Sequence, residues 1–569
     1  MADYYAKHRL TADFDLQLER TRDPKHGDFT TNIAMRLAKD LGKPPRELAE
    51  TLIALIPPSE LIEKAEVAGP GFINFNLSTN AYRNELIDII ELGSSYGCSS
   101  FGNDQRVLVE YVSANPTGPL HVGHGRHAAY GASLANLLRA TGHDVQEEYY
   151  VNDAGRQMDI LTISVWLRYL QLRGIEISFP KNAYQGDYVT DIAKQIDTEL
   201  SEQLFIKDKT TLNEILLDSE TDGEKLLDKL IYKTKEILGA EQFSKLLNKA
   251  LDNVLSDIKA DLLEFGVEPQ LWYAEASLNE KGAIERTLSL LNEKNLLDIR
   301  DGATWFKATE YGDEKDRVVV RENGSTTYFA SDIAYHLEKK RRGFDVLLDI
   351  LGADHHGYIA RVRAGLEAMG EPPASLEVRL VQFVTLYRGR EKVQMSTRSG
   401  KYVTLRELRN EVGNDAARFY YVSRSNEQHL DFDLELAKAQ STDNPVYYVQ
   451  YAHARISSLI KKMDQEGFKY QLNSASDLSP LTEDNERSLL VLLSRYPEIL
   501  ELASVNRAPQ NLVHYLRSLS ADFHSYYNAH KMLVEDETLR NARISLALGI
   551  QQVLYNGLTL LGVTAPNRM

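Results

Sequence analysis

The stretch that decides the fold runs from residue 107 to residue 124 and reads Val107-Leu108-Val109-Glu110-Tyr111-Val112-Ser113-Ala114-Asn115-Pro116-Thr117-Gly118-Pro119-Leu120-His121-Val122-Gly123-His124. Its first six residues form a short, strongly apolar run, which suits a parallel strand buried on both faces. A loop rich in proline and glycine follows, and helix-forming sequence resumes through Leu138. A strand, a phosphate-type loop and a helix in this order open a nucleotide-binding Rossmann-like unit.

The loop ends on two histidines, His121 and His124, which lie on one face of a helix when they are three residues apart. The N-terminus of a helix favours phosphate, so two imidazole donors there can stabilise the charge that builds on an α-phosphate during nucleotidyl transfer. Gly123 leaves room for a flat base to approach the backbone. Taken alone, this spacing also fits chance or a metal-binding pair, but the HExxH pattern of zinc proteases is absent.

Working outward, the chain of 569 residues is too long for one hydrophobic core. We expect a small α/β N-terminal domain (1–100), an α/β Rossmann-like catalytic domain (101–413) and an all-α C-terminal bundle (414–569). Residues from about 160 to 265 are mostly helix-forming and charged, so they read as a helical insertion in the catalytic domain. The catalytic sheet is predicted to continue with the runs Val145–Tyr150, Leu347–Leu351 and Leu380–Val384.

Composition narrows the class of protein. Cys98 is the only cysteine, which excludes intrachain disulfides and zinc ribbons, and we expect no structural metal. No run approaches the roughly 20 apolar residues of a membrane helix, and the N-terminus lacks the apolar region of a secretory signal, so we expect a cytoplasmic protein. The net charge of −17 argues mildly against a nucleic-acid partner, but local basic patches can coexist with it.

The run SANPTGPLHVGH (113–124) resembles the "HIGH" region of class I aminoacyl-tRNA synthetases, and specifically that of bacterial arginyl-tRNA synthetases. The resemblance extends over nearly the whole chain and is weakest at about 160–260. It implies that the chain uses ATP with Mg²⁺ to activate L-arginine and transfers the arginyl group to the 3′ end of tRNA(Arg). His121, Gly123 and His124 would then be catalytic, and both histidines would bind ATP.

Two further segments match ATP-binding elements of this family. The segment 394–401, which begins QMSTR, looks like the "KMSKS" loop, although Gln394 and Thr397 replace its lysines. A loop with cations and hydroxyls can neutralise the pyrophosphate leaving group. The resemblance implies Met395, Ser396 and Arg398 in ATP binding. The candidates for the catalytic cation are Lys392, Arg398 and Lys401, of which Arg398 and Lys401 are favoured. It also assigns Gly352 and Asp354 to the ribose; the alternative is a structural turn after a strand.

The choice of arginine as substrate depends on two residues four apart, Tyr328 and Asp332, which share a face if they are helical. A guanidinium needs planar acceptors, and a buried cation needs a carboxylate. In arginyl-tRNA synthetases the matching residues contact the guanidinium, and Glu275 matches a second carboxylate. The resemblance places Ser113, Asn115 and His124 around the α-amino end of the amino acid. No role is transferred to Arg361.

The resemblance also implies which parts face tRNA. Residues 1–100 look like the additional domain that contacts the tRNA elbow, and 414–419 looks like the "DALR" segment of the anticodon-binding domain. Aromatic and cationic side chains of the bundle suit the unstacked bases of a loop. The candidates for tRNA binding are Tyr447, Tyr448, Tyr451 and Arg455, although most helix tyrosines belong to a core. We expect a monomer.

Three other interpretations stay open at this point. The chain could be a class I synthetase for another amino acid, against which Tyr328 and Asp332 argue. It could be a small nucleotidyltransferase with the same HxGH motif, although such enzymes usually lack the C-terminal bundle. It could also be a catalytically silent paralogue that only binds RNA, against which the intact histidine motif argues.

Overall fold

The computed structural model describes residues 16–21, 23–200, 204, 223–355, 357–393, 402–470 and 477–569. Its N-terminal part is a small α/β unit, as predicted. The strands are β1 (Glu19–Arg20), β2 (Phe29–Thr31), β3 (Ile62–Ala68) and β4 (Phe72–Leu77), and the helices are α1 (Ile33–Leu41), α2 (Pro45–Ala54) and α3 (Thr79–Leu92). The four strands pair antiparallel in the order β1-β2-β4-β3. The first two helices and this sheet enclose a core of their own.

A five-stranded parallel sheet forms the centre of the molecule. Its strands are β5 (Arg106–Glu110), β6 (Asp144–Val151), β7 (Leu271–Ala274), β11 (Val346–Gly352) and β12 (Leu376–Val381). They pair in the order β12-β11-β5-β6-β7. Residues 107–109 in the middle of β5 have no exposed surface, because both faces of the strand are covered. The apolar run therefore forms the buried parallel strand that it predicted.

Helix α4 (Val122–Ala140) packs closely on this sheet because small residues line its inner face. A Cβ at Gly131 would lie 2.3 Å from Cγ of Tyr111, and one at Gly125 would lie 2.6 Å from Cδ1 of Leu405. Both distances are shorter than any real contact, so glycine is required at these two positions. The sequence thus holds the N-terminus of α4 against the carboxyl end of β5.

The order of the strands places a crevice beside β5. The chain runs from β5 through β6 to β7 on one side, and later returns to add β11 and β12 on the other. Open parallel sheets bind ligands at the carboxyl ends of the strands where the order reverses in this way. The histidine motif follows β5 and Gly352 ends β11, so both predicted nucleotide-binding segments lie at this edge.

The segment between β6 and β11 holds a helical part and a small second sheet. The helical part consists of α5 (Arg156–Leu172), α6 (Asp187–Leu200) and α7 (Gly223–Glu264), the last with a kink at Gly239. The second sheet is antiparallel and consists of β8 (Leu297–Arg300), β9 (Ala303–Phe306) and β10 (Arg317–Val320). Helices α8 (Ala276–Glu280), α9 (Ala283–Glu293), α10 (Tyr328–Arg341) and α11 (Tyr358–Met369) complete this region.

The C-terminal part is helical, as predicted. Its helices are α12 (Leu405–Val412), α13 (Asn414–Tyr421), α14 (Leu434–Lys438), α15 (Pro445–Gln465), α16 (Asp484–Ser494), α17 (Tyr496–Val505), α18 (Gln510–Ala529) and α19 (Glu537–Leu560). The bundle shares one continuous hydrophobic core with the central sheet and α4. Among the described residues, no helix combines the length and the apolar character needed to cross a membrane.

Two predictions about strands were wrong. The run Leu380–Val384 is not one strand, because β12 ends at Val381 and β13 (Val384–Arg388) belongs to a different sheet. The region after Asn414 is not wholly helical, because β15 (Leu430–Asp433) pairs in parallel with β13. That sheet is completed by β14 (Glu391–Lys392). A short run on the edge of a sheet depends on a distant partner, which local sequence does not reveal.

The DALR-like segment connects the C-terminal end of the chain with the turn after α7. Arg418 is buried and donates hydrogen bonds to the carbonyls of Leu561 at 3.0 Å, Phe265 at 2.8 Å and Gly266 at 3.2 Å. Burial lowers the pKa of Arg418 to about 10. Asp415 accepts from the backbone N–H of Thr564 at 3.0 Å. Two residues of one helix therefore hold the chain's C-terminal end.

Substitution of Arg418 by methionine should lower the stability of the protein by about 3 kcal/mol, because three buried carbonyl groups lose their donor while the side-chain volume is kept. The measurement is the urea midpoint followed by circular dichroism. The matched control is Arg424→Met on an exposed arginine of the same segment, which should leave the midpoint unchanged. Equal midpoints for the two variants would contradict the role of Arg418.

Candidate active site

The two motif histidines cap helix α4 and cap each other. Nδ1 of His121 accepts the backbone N–H groups of Gly123 at 3.1 Å and of His124 at 3.3 Å. In return, Nδ1 of His124 accepts the backbone N–H of His121 at 3.3 Å. The two rings are stacked, with centroids 3.6 Å apart and an interplanar angle of 15°. The pair is a capping box in which imidazoles take the place of the usual hydroxyl and carboxylate.

This reciprocal cap fixes the tautomer of both rings. A neutral imidazole has one donor and one acceptor nitrogen, and here each Nδ1 accepts, so each Nε2 carries the proton. Burial lowers the pKa of His121 and lowers that of His124 well below its usual value. The motif therefore presents two neutral N–H donors at the positive end of a helix dipole, an arrangement suited to an oxyanion.

Gly123 is required by the cap. A Cβ at this position would lie 2.9 Å from Cε1 and 3.0 Å from Nδ1 of His121. The absence of a side chain at Gly123 leaves room for the imidazole of His121. This explains the glycine independently of the predicted approach of a base. That approach stays a prediction.

The loop before the motif is held in a strained conformation. Val112 and Ser113 have φ angles of 67° and 39°, a region that a β-branched residue such as valine rarely adopts. The turn lets the hydroxyl of Ser113 donate to Oε1 of Glu110 at 2.9 Å and accept from the backbone N–H of Tyr150 at 3.0 Å. Tyr149 and Tyr188 donate to the loop carbonyls of Ala114 and Thr117 at 2.8 Å and 2.5 Å. Strain of this kind at a ligand-binding turn is typical of functional sites.

The segment that follows the QMSTR loop lies directly against the motif. The N–H of Val122 donates to the carbonyl of Val403 at 3.2 Å, and the N–H of Leu405 donates to the carbonyl of Leu120 at 2.8 Å. Tyr402 donates to the carbonyl of Pro119 at 3.3 Å. The predicted loop residues themselves, Met395, Ser396, Arg398 and Lys401, lie outside the described residues.

A cavity of about 510 Å³ opens between the motif and the end of β11. It brings together most of the predicted site. The predicted residues that line it are Ser113, Ala114, Asn115, His121, Gly123, His124, Asp332, Gly352 and Asp354. Asn115 is exposed and also borders a second cleft of about 1070 Å³, which is formed with residues 181–188 and 402–407. Of the rest of the motif, Thr117, Gly118 and Pro119 line the second cleft, whereas Pro116 and Leu120 are buried.

Asp332 lines the cavity, and its carboxyl group interacts electrostatically with that of Glu275, which is not one of the lining residues. The hydroxyl of Tyr358 lies beside Asp332 and lowers its pKa, and the hydroxyl of Tyr150 does the same for Glu275. Burial raises the pKa of each to about 7; repulsion by Asp332 and Asp153 raises the pKa of Glu275 further, and repulsion by Glu110 and Asp349 raises that of Asp332. Within the described part of the chain, neither carboxylate forms an ion pair with lysine or arginine. The two carboxylates can therefore pair with a positively charged ligand.

A buried ion cluster that the sequence did not reveal lies next to this pair. Its members are the acids Glu110, Glu148 and Asp349, the cations Lys339 and Arg342, and the imidazole of His336. Lys339 bridges Glu110 at 2.5 Å and Asp349 at 2.9 Å. Nε2 of His336 lies 2.7 Å from Oδ2 of Asp349, and its Nδ1 lies 2.8 Å from the carbonyl oxygen of Asp332. Each acid of the cluster has a lysine or arginine partner, whereas Asp332 and Glu275 have none among the described residues.

The signal for this cluster was present but easy to overlook. Glu110 is a charged residue inside an apolar strand, and Lys339 is a fully buried lysine seven residues after Asp332 on the same helix. Charges buried in this way are paired. Tyr335 also joins the cluster by donating to Glu148 at 2.5 Å. The cluster connects Ser113, through Glu110, with the helix that carries Asp332.

Tyr328 lies apart from the cavity floor. Its side chain is 59% exposed, and its hydroxyl would lie 3.0 Å from a Cβ at Gly155. The tyrosine that meets Asp332 is Tyr358. The predicted contact between Tyr328 and a guanidinium stays a prediction. Arg361 lines neither of the two clefts, and its Nε has no hydrogen-bond partner among the described residues.

His127 is a cavity residue that the sequence reading missed. It lies on α4 one turn after His124 and lines the cavity together with Gly352 and Asp354. Burial lowers its pKa to about 4, and its Nδ1 has no hydrogen-bond partner in the described part of the chain. The sequence did contain a signal for it, because His127 follows His124 at the same three-residue spacing that separates His121 and His124.

The four predicted tRNA contacts cluster on one side of helix α15. Tyr447 and Tyr451 are stacked with centroids 6.1 Å apart, and Tyr448 lies 4.7 Å from the ring of His524. Arg455 lies over the ring of Tyr527 at 4.1 Å. None of the four predicted side chains is fully buried, so they form an aromatic surface and not a core.

Comparisons with known proteins agree with this geometry. The family model of the class I tRNA synthetase (R) catalytic domain matches residues 88–456, which is more than half of the chain. The chain belongs to the arginyl-tRNA synthetase family. The arginyl tRNA synthetase N-terminal domain matches residues 5–77, and the DALR anticodon binding domain matches residues 449–569. Three kinds of domain thus follow one another along the chain, in the predicted order.

Similar proteins cover nearly the full length. The arginine–tRNA ligase of Thioalkalivibrio sulfidiphilus is 54% identical over 98% of this chain and 95% of its own length. That of Hydrogenovibrio crunogenus is 53% identical over 97% of this chain and 95% of its own length. The solved arginyl-tRNA synthetase of Thermus thermophilus is 25% identical, with a TM-score of 0.74, over 100% of this chain and 98% of its own.

Proposed function

We propose that this chain is an arginine–tRNA ligase that activates L-arginine with ATP and transfers the arginyl group to the 3′ end of tRNA(Arg). The choice of arginine rests on Asp332, which lines the cavity beside the histidine motif, and on Glu275, whose carboxyl group interacts with it; neither pairs with lysine or arginine among the described residues. A buried guanidinium needs planar, negatively charged acceptors, and this pair offers two. Membership in the arginyl-tRNA synthetase family supports the same substrate.

In the first step, a carboxylate oxygen of arginine attacks the α-phosphorus of ATP and pyrophosphate leaves. The Nε2–H groups of His121 and His124 donate to the α-phosphate oxygens, where charge develops. When bound with ATP, Mg²⁺ would supply positive charge at the phosphates. Ser113 and Asn115 hold the α-amino end, and Gly352 and Asp354 hold the ribose.

In the second step, a hydroxyl of the terminal ribose of tRNA attacks the carbonyl carbon of arginyl-adenylate, and AMP leaves. The cleft of about 1070 Å³ beside Asn115 leads from the surface to the motif and is the path we propose for the tRNA end. Cations of the QMSTR loop, Arg398 and Lys401, would face pyrophosphate, and Met395 and Ser396 would contact ATP. Tyr447, Tyr448, Tyr451 and Arg455 would contact the anticodon loop. We also propose a monomer that acts in the cytoplasm.

The experiment that tests the function is ATP–pyrophosphate exchange by the purified protein with Mg²⁺, against a panel of amino acids, with and without bulk bacterial tRNA. We expect exchange with arginine alone. A stimulation by tRNA would fit relatives that need tRNA for the first step. Exchange with a different amino acid would replace arginine as the substrate, and no exchange from folded protein would favour the silent RNA-binding paralogue.

Arginine binding should release protons near neutral pH. The empty pair Asp332 and Glu275 has pKa values raised to about 7, and the bound guanidinium stabilises only the ionised form. The dissociation constant should therefore rise up to about tenfold per pH unit and per proton as the pH falls below 7. Calorimetry in phosphate and in Tris should give different heats. Equal heats and a pH-independent affinity would contradict the proposal.

The same pair gives a stability effect of known sign. The raised pKa values mean that the folded chain without arginine holds more protons than the unfolded chain between pH 4 and 7. Stability without ligand therefore decreases as the pH rises through this window. Saturating arginine should restore it, and Glu275→Gln should reduce the number of protons released.

A further inference from the structure

One polar group in the cavity is left without a use by the proposed mechanism. His127 lies on the second turn of α4, and no hydrogen bond of either ring nitrogen exists among the described residues. Its Nδ1 is fully buried. An unpaired buried nitrogen destabilises a fold, and an apolar ring of the same shape would avoid this. Such a group is typical of a residue that is paired only when a ligand is bound.

The surroundings of His127 point to one part of a ligand. Its Cε1 would lie 3.9 Å from a Cβ at Gly352, so the ring faces the turn that carries Asp354 across the cavity. His121 lies six residues earlier, about 9 Å along the helix axis. The distance from His121, the proposed phosphate donor, to His127 is therefore similar to the distance between the phosphates and the far side of the sugar in one nucleotide.

The chemistry of the ring decides between phosphate and sugar. A neutral imidazole offers one donor and one acceptor, as does a hydroxyl group, whereas phosphate oxygens only accept. The pKa of about 4 keeps His127 neutral at physiological pH. A ribose hydroxyl between His127 and a carboxylate can donate to one and accept from the other.

We propose that His127 binds the ribose of ATP, with a ring nitrogen hydrogen-bonded to a ribose hydroxyl opposite Asp354. This inference rests on the proposed function, because it takes ATP to be the ligand of this cavity. It makes His127 a third histidine of α4 that touches the nucleotide. The residue would act on the affinity and orientation of ATP and would leave arginine binding unchanged.

The test is equilibrium dialysis of radiolabelled ATP with Mg²⁺ and no arginine, using the full chain. The variants are His127→Phe, which keeps the ring without its nitrogens, and His127→Gln, which keeps a donor and an acceptor. The control is His26→Phe on an exposed histidine of the N-terminal unit. We expect His127→Phe to weaken ATP binding about tenfold, His127→Gln less, and the control not at all.

Deoxynucleotides separate a ribose contact from a structural role. One of the two analogues, 2′-deoxy-ATP or 3′-deoxy-ATP, lacks the hydroxyl that His127 contacts. The wild type and His127→Phe should bind that analogue with equal affinity. A defect of His127→Phe that persists with both analogues would overturn the ribose assignment, and ATP affinity within twofold of the wild type would overturn the whole inference. The melting temperature of His127→Phe should equal or exceed that of the wild type.

Pyrophosphate exchange by the wild type distinguishes the two levels of failure. Arginine-dependent exchange together with unchanged ATP affinity in His127→Phe overturns only the role of His127. Weakened ATP binding in His127→Phe without amino-acid-dependent exchange in the wild type supports the role of His127 and overturns the proposed function. Folded wild type that binds no ATP overturns both.

Discussion

Substitution of Asp332 by asparagine should lower kcat/KM for arginine in pyrophosphate exchange by at least a hundredfold. The asparagine has nearly the same shape but no charge, so the guanidinium would enter a buried site without its principal counter-charge. Leaving one partner of a buried ion pair unmatched costs about 3–5 kcal/mol, and each 1.4 kcal/mol is a factor of ten. The loss should fall on KM for arginine, and the KM for ATP should stay within twofold.

The control for Asp332→Asn lies on the same helix. Glu338→Gln removes an acidic charge from a residue that pairs with Arg286 and Arg341 at the surface. Surface pairs contribute little, so this variant should keep its activity within about twofold. If Asp332→Asn keeps a KM for arginine within threefold of the wild type, the cavity does not hold the guanidinium.

A folding defect can be separated from a binding defect by the sign of the stability change. Asp332 is held at a pKa of about 7 because burial opposes its ionisation, so its charge at pH 8 opposes folding when arginine is absent. Asp332→Asn should therefore be as stable as the wild type at pH 8, or more stable. Lost activity with an equal or higher melting temperature would show that the charge of Asp332 serves binding. Lost activity with a lower melting temperature would point to a folding defect instead.

The sequence predicted the parts of this molecule that depend on local pattern. The apolar strand 107–112, the Pro/Gly loop and the helix that begins beside His121 follow from composition and spacing. The site residues after β5 and β11 could be predicted to meet because parallel strands end at one edge of a sheet. The arginine-family assignment came from the motif 113–124, a long and specific run.

The remaining features depend on partners far apart in the chain. Strand β15 forms because β13 offers an edge 46 residues earlier, at Val384 opposite Leu430. Tyr358 meets Asp332 although Tyr328, at helical spacing, was the expected neighbour. The buried ion cluster takes its acids from three strands and its lysine and arginine from the end of one helix. No local pattern encodes such pairings, because each is decided by packing.

Removal of the imidazole of His121 should lower the rate of arginine-dependent exchange by about a hundredfold or more, as for other donors aimed at a developing oxyanion. Two substitutions separate its two roles. Asparagine also caps helices well, so His121→Asn should keep the cap and the melting temperature while it loses the Nε2 donor. His121→Ala should lose both, and its stability should fall by about 1 kcal/mol.

The reciprocal geometry predicts how the two histidines combine. Each Nδ1 accepts a backbone N–H of the other residue's segment, so loss of either ring disturbs the position of its partner. The double variant His121→Ala/His124→Ala should therefore lose much less than the product of the two single losses. Fully multiplicative losses would mean that the rings act independently, and the capping box would then not be part of the catalytic device.

The pH profile completes the case for neutral donors. Both histidines have lowered pKa values, so kcat at saturating arginine should stay level as the pH falls from 8 to 6. Over the same range kcat/KM for arginine should fall, because Asp332 and Glu275 take up protons with pKa values of about 7. A fall of kcat itself near pH 6.5 would place an ionising histidine in the chemical step. A level kcat with a falling kcat/KM would assign the pH dependence to the acidic pair, and it would leave the two imidazoles as fixed N–H donors that stabilise charge without exchanging a proton.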